Sequence, residues 1–222
     1  MAQPLTQFLA PIRPKDVLSN AARAKMPLQH GRCDHSKSAL LSWDRLCEMA
    51  VKANHPEELR VSSNRNFVPL EFLRTGEHLD RAKLDRLLEI GASVVLESAH
   101  RFDENLAEIV RDFIAESGKP ARLGAIGSTG NSGALKKHSD PMDLLLVQID
   151  GAKHWRLYAP DDETDEAAEH SATPPKPVME HTLREGEFLF VPAGTPHECD
   201  TVGGRSLHVG LGFTNPNYNV WG

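Results

Sequence analysis

Two imidazoles and one carboxylate stand at spacings that could bring them to a single metal ion. The first group is His138-Ser139-Asp140. On a strand alternate side chains share a face, so an imidazole and a carboxylate two residues apart can converge. Alone this pattern is weak, because polar residues at exposed strand positions commonly have no special role. The second group is longer: Gly186, five residues of mostly apolar strand, then Pro192-Ala193-Gly194-Thr195-Pro196-His197. Proline and glycine there build a tight turn between two strands, and the turn aims the histidine inward at a barrel mouth. Together His138, Asp140 and His197 make a 2-His-1-carboxylate set, which holds Fe(II) on one face and leaves other positions open for substrate and O2. The alternative is that both histidines are simply polar residues at strand ends.

The Gly186 to His197 segment resembles the second cupin motif. The first cupin motif would place a glutamate near Leu144, seven residues ahead of Gly151, so in this chain the carboxylate falls to Asp140. Taken with Gln148, Gly151, Lys153, Trp155, Leu157-Tyr158 and Ser206-x-His208, the chain is similar to the JmjC-type 2-oxoglutarate oxygenases of the cupin-4, ribosomal-oxygenase-like group. The likeness extends upstream through Gly91 to Leu96 and Ala99 to Phe102. It implies Fe(II) as cofactor, 2-oxoglutarate and O2 as co-substrates, and hydroxylation of a protein side chain, ribosomal among the candidates, or of a small molecule. It also implies that Lys153 pairs with the far carboxylate of 2-oxoglutarate, since a dicarboxylate in a partly dehydrated barrel needs a cation at fixed depth. Ser206 is placed to hydrogen-bond the co-substrate, and His208 either lines the pocket or is a satisfied core histidine. Asn131, just ahead of the metal strand, is a further pocket candidate, with a turn role as its alternative. Gly210 departs from relatives that carry threonine there.

The elements that must position these groups fall into two textures. Residues 1–118 form a helical flanking region with short strands. Apolar positions repeat at helical spacing from Ser38 to Lys52, from Asp80 to Ile90, and after Asp103 through Ile114, with Gly118 and Pro120 as the stop. Ser93 to Leu96 is a short buried strand. Residues 119–222 carry strands at Arg122–Ser128, Leu144–Ile149, His154–Ala159, Glu187–Val191 and Ser206–Phe213, which predicts a mainly β, double-stranded β-helix (cupin or jelly-roll) barrel continuous with the N-terminal region. Asp161 to Glu180 reads as an exposed loop. Trp155 and Phe190 read as packing, and Gln148 as a buried amide that needs partners.

At 222 residues the chain suits one domain with a real core. A net charge of -6 gives no sign of the basic footprint expected for nucleic-acid binding. Cys33, Cys47 and Cys199 are widely spaced, which predicts free thiols in a reducing compartment. No apolar run approaches the roughly 20 residues that span a bilayer, so the expectation is a cytoplasmic protein. Longer members of the resembled group add a dimerisation region and a winged-helix module after the barrel, whereas this chain stops at Gly222, so the oligomeric state stays open. Two other classes fit the same ligands: a metal-containing cupin binding module without turnover, which Gly210 favours, and a Zn- or Mn-dependent cupin isomerase or lyase.

Overall fold

The computed structural model describes residues 4–10, 30–32, 40–53, 55–131, 133–159 and 175–214. Helix α1 (Pro4–Leu9) is followed by strand β1 (His30–Arg32), helix α2 (Trp43–Lys52), and strands β2 (Leu59–Ser63) and β3 (Asn66–Val68). A small hairpin, β4 (Arg74–Thr75) with β5 (His78–Leu79), leads into α3 (Arg81–Glu89), β6 (Ala92–Leu96) and α4 (Glu104–Ser117). The remaining strands are β7 (Ala121–Gly130), β8 (Met142–Leu157), β9 (Met179–Arg184), β10 (Glu187–Val191) and β11 (His197–Thr214). No helix among the described residues is long and apolar enough to cross a membrane.

The helices begin where their caps dictate. Ser42, Asp80 and Asp103 each accept a backbone N–H of the first turn, and Gly118 ends α4 in the left-handed conformation. Helix α2 therefore starts at Trp43, later than the periodicity from Ser38 suggested.

Nine strands form one antiparallel sheet in the order β1-β10-β8-β11-β7-β6-β2-β3, with β9 paired to β8. The sheet is mainly β architecture rolled into a jelly-roll barrel. The long strands β8 and β11 each serve two neighbours and bend between them: β8 pairs with β10 through Leu144–Val147 and with β9 through Ala152–Leu157. Strands β2, β3 and β6 extend this same sheet, so the region before residue 118 supplies part of the barrel wall as well as the helices.

Four expectations are corrected. The runs 144–149 and 154–159 are one strand, and the run from Ser206 is the second half of a strand that starts at His197. Met179 and Glu180 belong to β9 instead of a loop, while residues 160–174 and Cys33 lie outside the described residues. His138-Ser139-Asp140 is not in a strand; only His138 makes an isolated bridge, to His197.

The merging has a steric cause. In the first half of β8, Leu145, Val147 and Ile149 face the helices, while Leu144 and Leu146 face inward. An uninterrupted strand would then send Lys153 to the helix side. Instead the β8–β11 register shifts around Asp150-Gly151, opposite Gly203-Gly204-Arg205. That bulge flips the parity, so Lys153 and Trp155 point inward with Leu146. On β11 the same irregularity puts His197 and Cys199 on the inner face ahead of it, and His208, Gly210 and Gly212 behind it. The row of Gly124, Gly210 and Gly212 leaves the inner face without bulk, and the cavity opens there.

Gly151 sits at φ +65°, and a Cβ on it would lie 2.0 Å from the Arg205 carbonyl oxygen. Gly151→Ala is expected to destabilise the fold by about 2–4 kcal/mol, from backbone strain plus displacement of β11. Urea unfolding checks this as a lowered midpoint with an unchanged m-value.

Candidate metal centre and its cavity

The turn from Pro192 to Pro196 and the loop 133–141 are zipped together by backbone hydrogen bonds. His138 N donates to His197 O (3.1 Å), His197 N donates to His138 O (2.8 Å), and Gly194 N donates to Asp140 O (2.8 Å). Ala193 N adds a bond to the Asp143 carboxylate at 2.9 Å. These contacts, not strand alternation, bring His138 and Asp140 to His197.

The Nε2 atoms of His138 and His197 lie 3.7 and 3.6 Å from Asp140 Oδ2, and one ligand atom from each residue falls within 4.8 Å of the others. Metal–nitrogen and metal–oxygen bonds of about 2.1 Å allow ligand atoms up to roughly 4.2 Å apart on one ion, so the two carboxylate separations suit a shared cation. His138 Nδ1 lies 2.7 Å from Lys136 O, and His197 Nδ1 lies 2.9 Å from Thr195 O. A carbonyl only accepts, so each Nδ1 carries the proton and each Nε2 keeps its lone pair for a metal. Burial, reinforced by the neighbouring His138, lowers the pKa of His197 to about 4, which keeps it neutral. The His197 side chain is only 5% exposed, whereas His138 and Asp140 are 35% and 30% exposed, so the open face of the site lies on their side.

That face looks into a cavity of 530 Å³. Its apolar wall is Ile126, Met142, Leu144, Leu146 and Trp155. Lys153 reaches into it from β8 with no exposure to bulk solvent. Its ammonium donates to Ser128 Oγ at 3.1 Å, and no carboxylate among the described residues lies within ion-pair distance. Burial pushes its pKa below the ordinary lysine value. A buried ammonium with a single hydroxyl partner is costly, and an anionic ligand beside it would remove that cost. His208 faces the same space, its ring 5.4 Å from Trp155 in an edge-on arrangement. His208 Nδ1 and Trp155 Nε1 are buried without a hydrogen-bond partner among the described residues.

Two of the residues expected at the pocket lie elsewhere. Asn131 is an exposed turn residue outside the cavity lining. Ser206 is buried behind the lining, bonded to Thr201 Oγ1 at 3.2 Å. It packs under the lysine's neighbourhood, since Ser206 pairs with Ser128 in the ladder.

Several groups were not legible in advance. Arg65, in the left-handed turn between β2 and β3, bridges Glu198 (2.5 Å) and Asp200 (2.6 Å) on β11. Arg156 meets the same two carboxylates from β8, and Tyr158 donates to Glu198 at 2.6 Å. Burial works against ionisation of Glu198 and Asp200, but these hydrogen bonds outweigh it and hold both pKa values low. Asp200 also accepts from Gly133 N, and Ser62 Oγ donates to Ala134 O, so the network anchors the loop that carries the ligands. Lys137 and Cys199 complete the inner wall. The alternation of Glu198 and Asp200 after His197 was the one available signal; Arg65 had none.

The histidines give the metal-free protein a pH dependence of definite sign. Burial, with Lys153 and His197 next, drives His208 well below its ordinary 6.5, and His197 is depressed too. The unfolded chain then binds protons that the native state does not, so the contribution of these two histidines to stability is full above about pH 6.5 and falls as pH drops toward 4. The melting temperature of metal-free protein should decline between pH 7 and pH 5. His208→Leu should make that decline shallower, as thermal scans across the range will read.

Known proteins share parts of this sequence and its fold. The chain is 25% identical over 136 residues to ribosomal oxygenase 2 of Mus musculus, covering 59% of this chain and 29% of that protein. It is 34% identical over 94 residues to the bifunctional lysine-specific demethylase and histidyl-hydroxylase NO66 of Culex quinquefasciatus, covering 39% of this chain and 14% of the relative. The chain thus spans less than a third of the length of either relative. The fold superposes on the Escherichia coli ribosomal oxygenase YcfD, solved with cobalt and 2-oxoglutarate, at a TM-score of 0.58 and 18% identity, over 90% of this chain and 52% of that one. Residues 96–220, more than half of the sequence and including all three candidate ligands, match the JmjC domain, and the chain belongs to the JmjC-domain family.

Proposed function

We propose that this protein is an Fe(II)- and 2-oxoglutarate-dependent oxygenase that hydroxylates a protein side chain or a small molecule, with His138, Asp140 and His197 as the metal ligands. The observation that carries the reading is the pairing, in one cavity, of this three-ligand cluster with the buried Lys153 ammonium. The donor set fits Fe(II): two imidazoles whose Nδ1 atoms face carbonyls and one carboxylate, on one face with the opposite side open. Bound iron would supply the activation of O2, coupled to oxidation of 2-oxoglutarate to succinate and CO2, which no side chain here provides.

The chain's own residues bind, orient and exclude water. Lys153, steadied by Ser128, takes the far carboxylate of 2-oxoglutarate and so sets which end faces the ligands. Trp155, Leu144, Leu146 and Ile126 keep that space dry, which strengthens the ion pair. The unpartnered His208 Nδ1 and Trp155 Nε1 offer polar groups to whatever fills the cavity. The same fold in YcfD, solved with cobalt and 2-oxoglutarate, supports the reading. The ribosomal substrates for which relatives are named are carried over only as candidates.

Anaerobic addition of Fe(II) and then 2-oxoglutarate should give the weak visible charge-transfer band of a chelated keto acid, and admission of O2 should yield succinate. His197→Ala and Asp140→Ala should abolish the band. Lys153→Met should raise the 2-oxoglutarate concentration needed for half the signal by about 100-fold, the usual order for removing one partner of a desolvated charge pair. Metal binding with neither band nor succinate would refute the oxygenase and leave a binding module. An unchanged requirement in Lys153→Met would refute the lysine's role alone.

A further inference from the structure

The charges around the cavity carry information about the substrate, given the reading above of Lys153 and the metal ligands. Three carboxylates line the space, and each is committed. Asp140 belongs to the ligand cluster. Glu198 is held by Arg65, Arg156 and Tyr158. Glu97 stands against Arg60 and 3.8 Å from Arg122, so its charge is matched by theirs, although its buried Oε1 makes no hydrogen bond. With a metal on Asp140, the lining among the described residues keeps no carboxylate without a cation already beside it to receive a lysine or arginine side chain.

The cations are in surplus. Arg60 and Arg122 together have one carboxylate between them. Lys136 and Lys137 line the cavity immediately before His138, and neither has a carboxylate within ion-pair distance among the described residues. Lys137 is the informative one. It is 6% exposed, and its ammonium lies 5.0 Å over the Tyr158 ring, an aromatic face that stabilises the charge but takes up none of its N–H donors. A cation buried this far without an acceptor among the described residues is poised for an anion that arrives from the cavity.

We propose that the substrate of this site carries an anionic group, a carboxylate or phosphate, that seats on Lys136 and Lys137 in the cavity that the Arg60–Arg122 pair also lines. A basic segment is disfavoured, because its cation would enter a wall of like charge with no partner to replace its water. The same chemistry can come from an acidic peptide side chain or from a free small acid.

The test uses the full chain loaded anaerobically with Fe(II) and saturating 2-oxoglutarate, so that Lys153 is already engaged. Fluorescence anisotropy compares labelled, end-blocked tri-glutamate and tri-lysine peptides. Tri-glutamate should bind at least about tenfold more tightly, and Lys137→Glu and Lys136→Glu should each cut or invert that ratio by about tenfold, the order expected when a charge facing a ligand is reversed. Lys136 is exposed, so its variant reports even if reversal of the buried Lys137 unfolds the protein. Displacement of the peptide by unlabelled N-acetylglutamate at matching affinity assigns a small acid as the source; failure to displace assigns an acidic peptide. Tighter binding of tri-lysine, or a ratio that the Lys136→Glu protein leaves unmoved, overturns the proposal. Absence of succinate once O2 is admitted would instead overturn the oxygenase reading, since the peptide ratio is read without turnover.

Discussion

The reciprocal pair of hydrogen bonds between the backbones of His138 and His197 is the constraint on which the site depends. The two residues are far apart in sequence and sit on different kinds of backbone, one in a loop and one at the start of β11. Each exchanges its N–H and C=O with the other, as a single rung of an antiparallel ladder would. That rung, extended by the bond from Gly194 to the Asp140 carbonyl, fixes the separation of three side chains before any ion arrives. A preorganised donor set spends less of the metal's binding energy on ordering the chain. It also explains why a loop tolerates this task, since its backbone groups are paired as in a sheet.

Much of the fold was legible because it is written in local chemistry. Asp80 and Asp103 at the start and Gly118 at the stop mark two of the helices within a residue or two, whereas the helix read from Ser38 begins only at Trp43, after the Ser42 cap. The segment from Pro192 to His197 is a turn by composition, and the structure makes it one. What local chemistry could not show is pairing. Gly151 and Gly203-Gly204 read as breaks between short strands, yet neighbouring strands carry the ladder past them, and they become bulges within long ones. Lys153 lines the cavity because of the parity flip at Gly151, which needs the register of two strands and is invisible in either alone. Asn131 and Ser206 went astray for the same reason, because proximity in sequence to a ligand does not fix which way a side chain faces.

The polar interior shows a division of labour. Glu198 and Asp200 are matched with Arg65, Arg156 and Tyr158, so this cluster carries no net charge and serves to hold β11 against the β2–β3 turn and the ligand loop. Lys153, His208 and Trp155 are left short of partners. Buried groups of the first kind stabilise the fold, while those of the second kind cost it, and the cost is recovered only when a ligand completes them. The contrast separates structural charges from binding charges without appeal to any relative.

Arg65 shows how the two kinds meet. It and Asn64 both adopt positive φ, a conformation that a bulky residue such as arginine adopts at some cost. The turn tolerates this because the guanidinium spans two carboxylates at once, a forked geometry that a lysine could not match. Glu198 is the residue after the candidate ligand His197, and Asp200 holds Gly133 at the head of the loop that carries His138 and Asp140. Gly133 has no room to change, since a Cβ there would fall 1.9 Å from the Cys199 carbonyl oxygen. The strained turn at the edge of the sheet is thus tied, through two ion pairs and one close backbone contact, to both segments that carry the candidate metal ligands. Backbone strain at Arg65 is offset where the site is assembled, which is why a residue with no signal in the sequence belongs to its architecture.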